Sequence, residues 1–147
     1  MKKILIVDDE KDLTWSLSRG LSKKFPEWQI LAANSYHEAS NLLKKNLIDL
    51  LITDFRMPDG DGIALIQMSK RKNPKIFSIL ITAYGSADLM QTLMQHPEIV
   101  YLEKPFEIEK LREIITKWIM RPPIPQSILR DTRSAQRTKI VSRVIYS

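Results

Sequence analysis

Apolar residues gather along this chain in five short runs, each followed by a stretch in which they recur at helical spacing. The runs are Ile4–Val7, Gln29–Ala33, Asp49–Thr53, Ile76–Thr82 and Ile99–Glu103. They are close to continuous rather than alternating, as expected of strands buried on both faces of a parallel sheet. Leu13, Leu17 and Leu21 mark one stripe of a first helix. Ser35, with Glu38 three residues on, reads as a capping box that opens a second helix running to about Lys45. Ile63 and Ile66 begin the apolar stripe of a third, which runs to about Lys72 and is stopped by Asn73-Pro74. Ser86 to about Gln95 forms a fourth, ended before Pro97, and Ile108, Leu111, Ile115 and Trp118 give a fifth its core face. Strict alternation with short connections predicts right-handed crossovers and a three-layer α/β domain.

Length and composition fit one such domain. The chain has 147 residues, of which 44% are hydrophobic and 27% charged, the balance of a globular protein with a full core. After Met120 the texture changes, because Pro122, Pro123 and Pro125 prevent a helix from continuing. The 22 residues beyond Pro125 are too few for a second ordinary domain. The reading is therefore a domain over 1–120 and a Pro-containing basic tail or linker over 121–147. The net charge of +6 belongs to that tail, which carries +5; the first 120 residues hold 17 basic and 16 acidic groups. A basic binding face on the globular part is not expected.

Zero cysteines exclude a disulfide framework, thiolate zinc sites and thiol catalysis. His37 and His96 lie too far apart for a local metal motif and read as solvated surface. No apolar run approaches the roughly 18 residues of a membrane span, and the apolar stretch after Lys3 is only four residues long before Asp8 and Asp9 end it. The expected compartment is the cytoplasm.

The polar residues that matter collect at strand ends. Asp8 and Asp9 close the first run, Asp54 the third, Thr82 the fourth and Lys104 the fifth. A lone acid after a strand is ordinarily a turn former or a helix cap, but four strand ends carrying this set point to one crevice, because ligands of parallel α/β sheets sit at the carboxyl ends of the strands. Converging carboxylates need compensating positive charge. Lys104 supplies one cation, and magnesium, which prefers oxygen donors, would supply more. A carboxylate nucleophile with a cation, a lysine and a hydroxyl suits phosphoryl transfer. No glycine-rich phosphate loop is present, so a bound nucleotide is not implied.

Ile4-Leu5-Ile6-Val7-Asp8-Asp9-Glu10, Asp54-Phe55-Arg56-Met57-Pro58-Asp59-Gly60-Asp61-Gly62, Thr82-Ala83-Tyr84-Gly85 and Tyr101-Leu102-Glu103-Lys104-Pro105-Phe106 strongly resemble the receiver domain of two-component response regulators, over roughly residues 1–120. The resemblance implies a doubly wound, flavodoxin-like sheet of strand order 2-1-3-4-5. It implies Asp54 as phospho-acceptor, magnesium held by Asp8, Asp9 and Asp54 with the backbone carbonyl of Arg56, and Thr82 and Lys104 on the phosphoryl group. It also implies a switch in which the Thr82 hydroxyl turns toward the phosphoryl group and the Tyr101 ring fills the space left, with Arg56 and Tyr84 controlling water access. The segment Gln95-His96-Pro97-Glu98-Ile99-Val100 departs from the family in lacking its Gly-Ala step.

A histidine kinase or phosphotransfer protein is then the expected donor, and a downstream protein target or output domain the expected reader. Met90 and Met94 lie on a stripe of the fourth helix too wide for one buried face, which suits a partner surface. A homodimer is allowed, with the 121–147 segment a docking element or a linker. Two alternatives compete. A haloacid-dehalogenase-type phosphatase uses a similar residue set, but its second Asp stands two residues after the nucleophile, unlike Asp8-Asp9-Glu10. A phospho-regulated DNA-binding protein would need an output domain, and no base-reading module fits after Pro125, so direct nucleic-acid binding is not expected.

Overall fold

Each apolar run forms a strand and each helical stripe a helix. The computed structural model describes residues 2–83, 85 and 87–121. The order is β1 (Lys3–Val7), α1 (Lys11–Lys24), β2 (Gln29–Ala33), α2 (Tyr36–Lys45), β3 (Leu50–Asp54), α3 (Gly62–Lys72), β4 (Phe77–Thr82), α4 (Ala87–Gln95), β5 (Ile99–Glu103) and α5 (Ile108–Met120). All five strands are parallel, in the order β2-β1-β3-β4-β5, as expected for a flavodoxin-like sheet. A two-residue ribbon in the β3–α3 connection pairs Arg56–Met57 with Gly60–Asp61. Ser86, the expected start of the fourth helix, and the expectations for Tyr84 and for residues 122–147 lie outside the described residues.

The pleat sends alternate side chains to two cores. Ile4, Ile6, Ile52, Ile79, Ile81 and Leu102 meet α1 and α5 through Leu17, Leu21, Leu111 and Ile115. Leu5, Val7, Leu51 and Leu80 meet α2, α3 and α4 through Leu43, Leu65, Ile66, Leu89 and Leu93. The central strands are buried on both faces, which is why they read as unbroken apolar runs. β2 is an edge strand and is only partly buried.

Two local signals resolve differently from expectation. β3 runs from Leu50 to Asp54, one residue later than expected at each end. Asp49 still pairs through its backbone, its amide donating to the Lys3 carbonyl at 2.9 Å and its carbonyl accepting the Phe77 amide at 3.0 Å, while its carboxylate accepts the Lys3 amide at 2.8 Å. Asp54 is the last strand residue, opposite Ile81 of β4. In the capping box, Ser35 Oγ accepts from the Glu38 amide at 3.0 Å, but the Glu38 carboxylate accepts from the amide of Asn34 rather than that of Ser35.

The carboxyl end of α5 reaches the edge where the strands begin. Trp118 stacks on Phe77 at 5.0 Å between centroids, meets Trp28 edge-on at 6.2 Å, and carries the Lys2 ammonium 5.4 Å above its ring. Phe77 opens β4, and Lys2 and Trp28 precede β1 and β2, so this cluster closes the sheet edge remote from Asp54. Trp118→Ala is expected to cost about 2–3 kcal/mol, read as a lower urea midpoint with an unchanged m-value.

Candidate functional site

β1 leads through α1 to β2 on one side, and the chain then crosses back to β3 on the other, so strand order reverses between β1 and β3. A crevice opens at such a point outside the carboxyl strand ends. Asp8 follows β1 and is fully buried; Asp54 ends β3 and is 9% exposed. Asp9 is exposed at the mouth. One carboxylate oxygen from each of the three lies within 4.8 Å of the others, a set that could hold a metal ion.

Lys104, just past β5, donates from Nζ to Asp8 Oδ2 at 2.7 Å and stands 3.8 Å from Asp54 Oδ1 and 3.9 Å from Glu10 Oε1. The other Asp8 oxygen accepts the Glu10 amide at 2.9 Å, and Asp54 Oδ1 accepts the Phe55 amide at 3.0 Å. Burial, and next the charge of Asp8, raise the Asp54 carboxyl to about 6, although Lys104 and the Phe55 amide pull it down. Burial alone would lower the Lys104 amine, but its hydrogen bond to Asp8 and the charge of Asp54 outweigh that and hold it above its usual value.

The remaining expected residues lie around this cluster. Thr82 is buried at the end of β4, and its carbonyl accepts the Lys104 amide at 2.7 Å, which joins the two strand ends. Arg56 is exposed on the β3–α3 turn, its guanidinium 5.1 Å from the Phe55 ring centroid. Tyr101 is buried, only 5% exposed, and a Cβ on Gly85 would stand 3.2 Å from its hydroxyl. Met94 is exposed on α4 and Met90 half-buried, so the wide stripe does leave an apolar surface. His37 is exposed as expected, whereas His96 is half-buried, its Nδ1 3.4 Å from Glu98, which also takes Lys70 at 2.7 Å.

Some contributors carried no sequence signal. Asn34 donates from Nδ2 both to the Asp8 carbonyl and to Thr14 Oγ1, at 2.9 Å each, and so ties β1, α1 and the β2–α2 junction together. Gly62 did carry one, as the last glycine of the Asp54 motif. A Cβ there would lie 2.2 Å from the Asp54 carbonyl oxygen, so a larger residue would displace the strand end that carries the carboxylate.

The sequence matches the family model described as the response regulator receiver domain over residues 4–116. It is 34% identical over 133 residues to the response regulator protein PilR of Pseudomonas aeruginosa, covering 90% of this chain and 29% of the relative. It is 30% identical over 118 residues to sporulation initiation phosphotransferase F of Bacillus subtilis, covering 80% and 94% respectively. The fold superposes on a beryllofluoride-activated NtrC4 receiver domain dimer with a TM-score of 0.68 at 33% identity, over 79% of this chain and 94% of that one. The chain therefore spans less than a third of the length of PilR. No helix among the described residues is long and apolar enough to cross a membrane.

The raised Asp54 carboxyl makes a prediction about stability. Its ordinary value is 3.8 and its folded value about 6, so folding favours the protonated form. Below pH 3.8 the group is neutral folded or unfolded and costs nothing; as pH rises from there through 6 the penalty grows, and above 6 it is complete. Asp54→Asn removes that charge. In a divalent-free buffer it is expected to stabilise the chain by on the order of 2–3 kcal/mol at pH 8, an advantage that shrinks below pH 6 and vanishes near pH 4. Denaturant titrations of both chains across that range check it.

Proposed function

The chain belongs to the response regulator receiver domain family, and on that footing we propose that Asp54 is its phospho-acceptor. Receiver domains are signalling modules, and the function is a phosphorylation-controlled switch rather than turnover of a metabolite. The observation that carries the assignment is the placement of one buried carboxylate beside a second, with one lysine amine shared between them at 2.7 and 3.8 Å.

Burial strips water from Asp54 while a value of about 6 leaves it largely ionised at neutral pH, the state a nucleophile needs. A phosphohistidine on a histidine kinase or phosphotransfer protein is the donor. An Asp54 oxygen attacks phosphorus in line; the new P–O bond forms as the P–N bond breaks, and the electron pair leaves with the imidazole nitrogen, which takes up a proton. Lys104 and Thr82 receive the phosphoryl oxygens. Asp8, Asp9 and Asp54, with the Arg56 carbonyl, would hold magnesium, whose charge neutralises the phosphoryl oxygens during transfer. The donor set suits a hard cation, being oxygen throughout, and Asp9 at the mouth leaves one side open to water. Arg56 and Tyr84 govern water access to the acyl phosphate.

Output comes from a change of affinity for a downstream protein target or an output domain, with Thr82 and Tyr101 as the moving parts. A homodimer is one form such an output takes. The receiver domain is 1–120 with 121–147 as a Pro-containing basic tail or linker, the compartment is cytoplasmic, and direct nucleic-acid binding has no part in the reading.

Incubating the full chain with acetyl phosphate and magnesium is expected to add one phosphoryl mass, removed by hydroxylamine. Asp54→Asn should abolish that mass in intact-protein spectra; its persistence on the variant would overturn the assignment.

A further inference from the structure

The turn between β3 and α3 carries Arg56, yet its fixings come from across the site. Asp59 stands exposed on that turn, and its two carboxylate oxygens accept the amides of Tyr36 and His37, at 2.9 Å each. These are the first two amides of α2, which have no acceptor within the helix. The hydrogen bonds, His37 first and then Tyr36, hold the Asp59 carboxyl below its usual value, so it is a charged clamp at neutral pH. The same turn packs against the Tyr36 ring: a Cβ on Gly60 would lie 2.4 Å from Tyr36 Cδ2, so glycine alone permits the approach. Gly60–Asp61 then pairs back on Arg56–Met57, the Asp61 carboxylate caps α3 through the Ala64 amide at 2.9 Å, and the Gly62 amide closes on the Phe55 carbonyl at 2.7 Å. An unbroken series of contacts thus runs from the amino end of α2 to the backbone of Arg56.

We propose that Asp59 is a positioning residue of the cation site: by clamping the β3–α3 turn to α2 it holds the Arg56 carbonyl where the metal takes it. The inference rests on the reading of Asp8, Asp9, Asp54 and Arg56 as that site. Asp59 acts through the turn and is not itself a ligand. Ser35 Oγ takes the Glu38 amide and Asp59 the two before it, so Asp59 completes the cap of α2; capping alone does not account for the close packing of Gly60 on Tyr36, which fixes the turn itself.

The test is a magnesium titration of the full 147-residue chain, followed through the amide signals of Asp54 and Arg56 by NMR. Asp59→Ala is expected to bind magnesium about tenfold more weakly, the lower end of what losing an outer partner costs a metal site. Asp59→Asn keeps one carbonyl oxygen for one of the two amides and should fall between, which also covers the case of an alanine variant that fails to fold. Ser35→Ala removes the other α2 cap without touching the turn; it should lower the melting temperature and leave magnesium affinity as in the wild type. Equal affinity in the wild type and in Asp59→Ala, or an equal loss in Ser35→Ala, would overturn the positioning role while the site reading stood. A wild-type chain with no magnesium-dependent shift at Asp54 would overturn both.

Discussion

Two buried carboxylates share the crevice between β1 and β3, and the amine of Lys104 is the charge that lets them do so. At 2.7 Å from Asp8 and 3.8 Å from Asp54 it offsets a repulsion that burial would otherwise intensify. The compensation is incomplete, since Asp54 still sits near 6. That residue of unfavourable energy is what a second cation can relieve. A site left partly uncompensated by its own chain is one in which the clustered carboxylates of Asp8, Asp9 and Asp54 could hold a metal ion.

The sheet is what makes this compromise hold. Lys104 is anchored by its amide on the Thr82 carbonyl, Asp8 by its amide on the Ala33 carbonyl and its own carbonyl on Asn34, and Asp54 by its place in the β3 ladder. Each charged group therefore rides on a strand end whose neighbours are buried aliphatic residues, and none can retreat from the others without opening the core. The same rigidity makes Gly62 obligatory, because the Asp54 carbonyl lies where its Cβ would be.

How much of this was legible in the sequence follows from the range of the forces involved. β1, β3 and β4 are readable because both faces are buried, so nearly every position is apolar, and the α1 and α5 stripes are readable for the complementary reason. Asp8, Asp54, Thr82 and Lys104 could be grouped because a parallel sheet brings all its carboxyl strand ends to one edge whatever the loops do. Contacts between loops are another matter. Nothing local in Asp59 announces two amides more than twenty residues earlier, Asn34 gives no sign of bridging Asp8 and Thr14, and the His96–Glu98–Lys70 group joins a helix to a distant turn. Local preference also erred between near neighbours, since the Glu38 carboxylate accepts from Asn34, four residues earlier, instead of from Ser35.

Burial of Tyr101 bears on how the site communicates. The resemblance casts this ring as one that moves into space vacated by Thr82. Here it is already inside, 5% exposed, its hydroxyl against Gly85. In the proposed switch the bias would arise from contacts of a phosphoryl group with Thr82 and Lys104, because a ligand shifts an equilibrium only by binding one state better. Lys104 already donates to Asp8 at 2.7 Å, and its ammonium has further N–H donors for a new anion. Its amide is bonded to the carbonyl of Thr82, so the two responses are mechanically joined at the ends of β4 and β5. The connection after β4 leads past Gly85 to Met90, half-buried in the core beneath α4, and Met94 on the same helix is exposed. Gly85 thus stands beside both Tyr101 and Met90, which gives the proposed movement of Thr82 and Tyr101 a short route to the apolar surface at Met94.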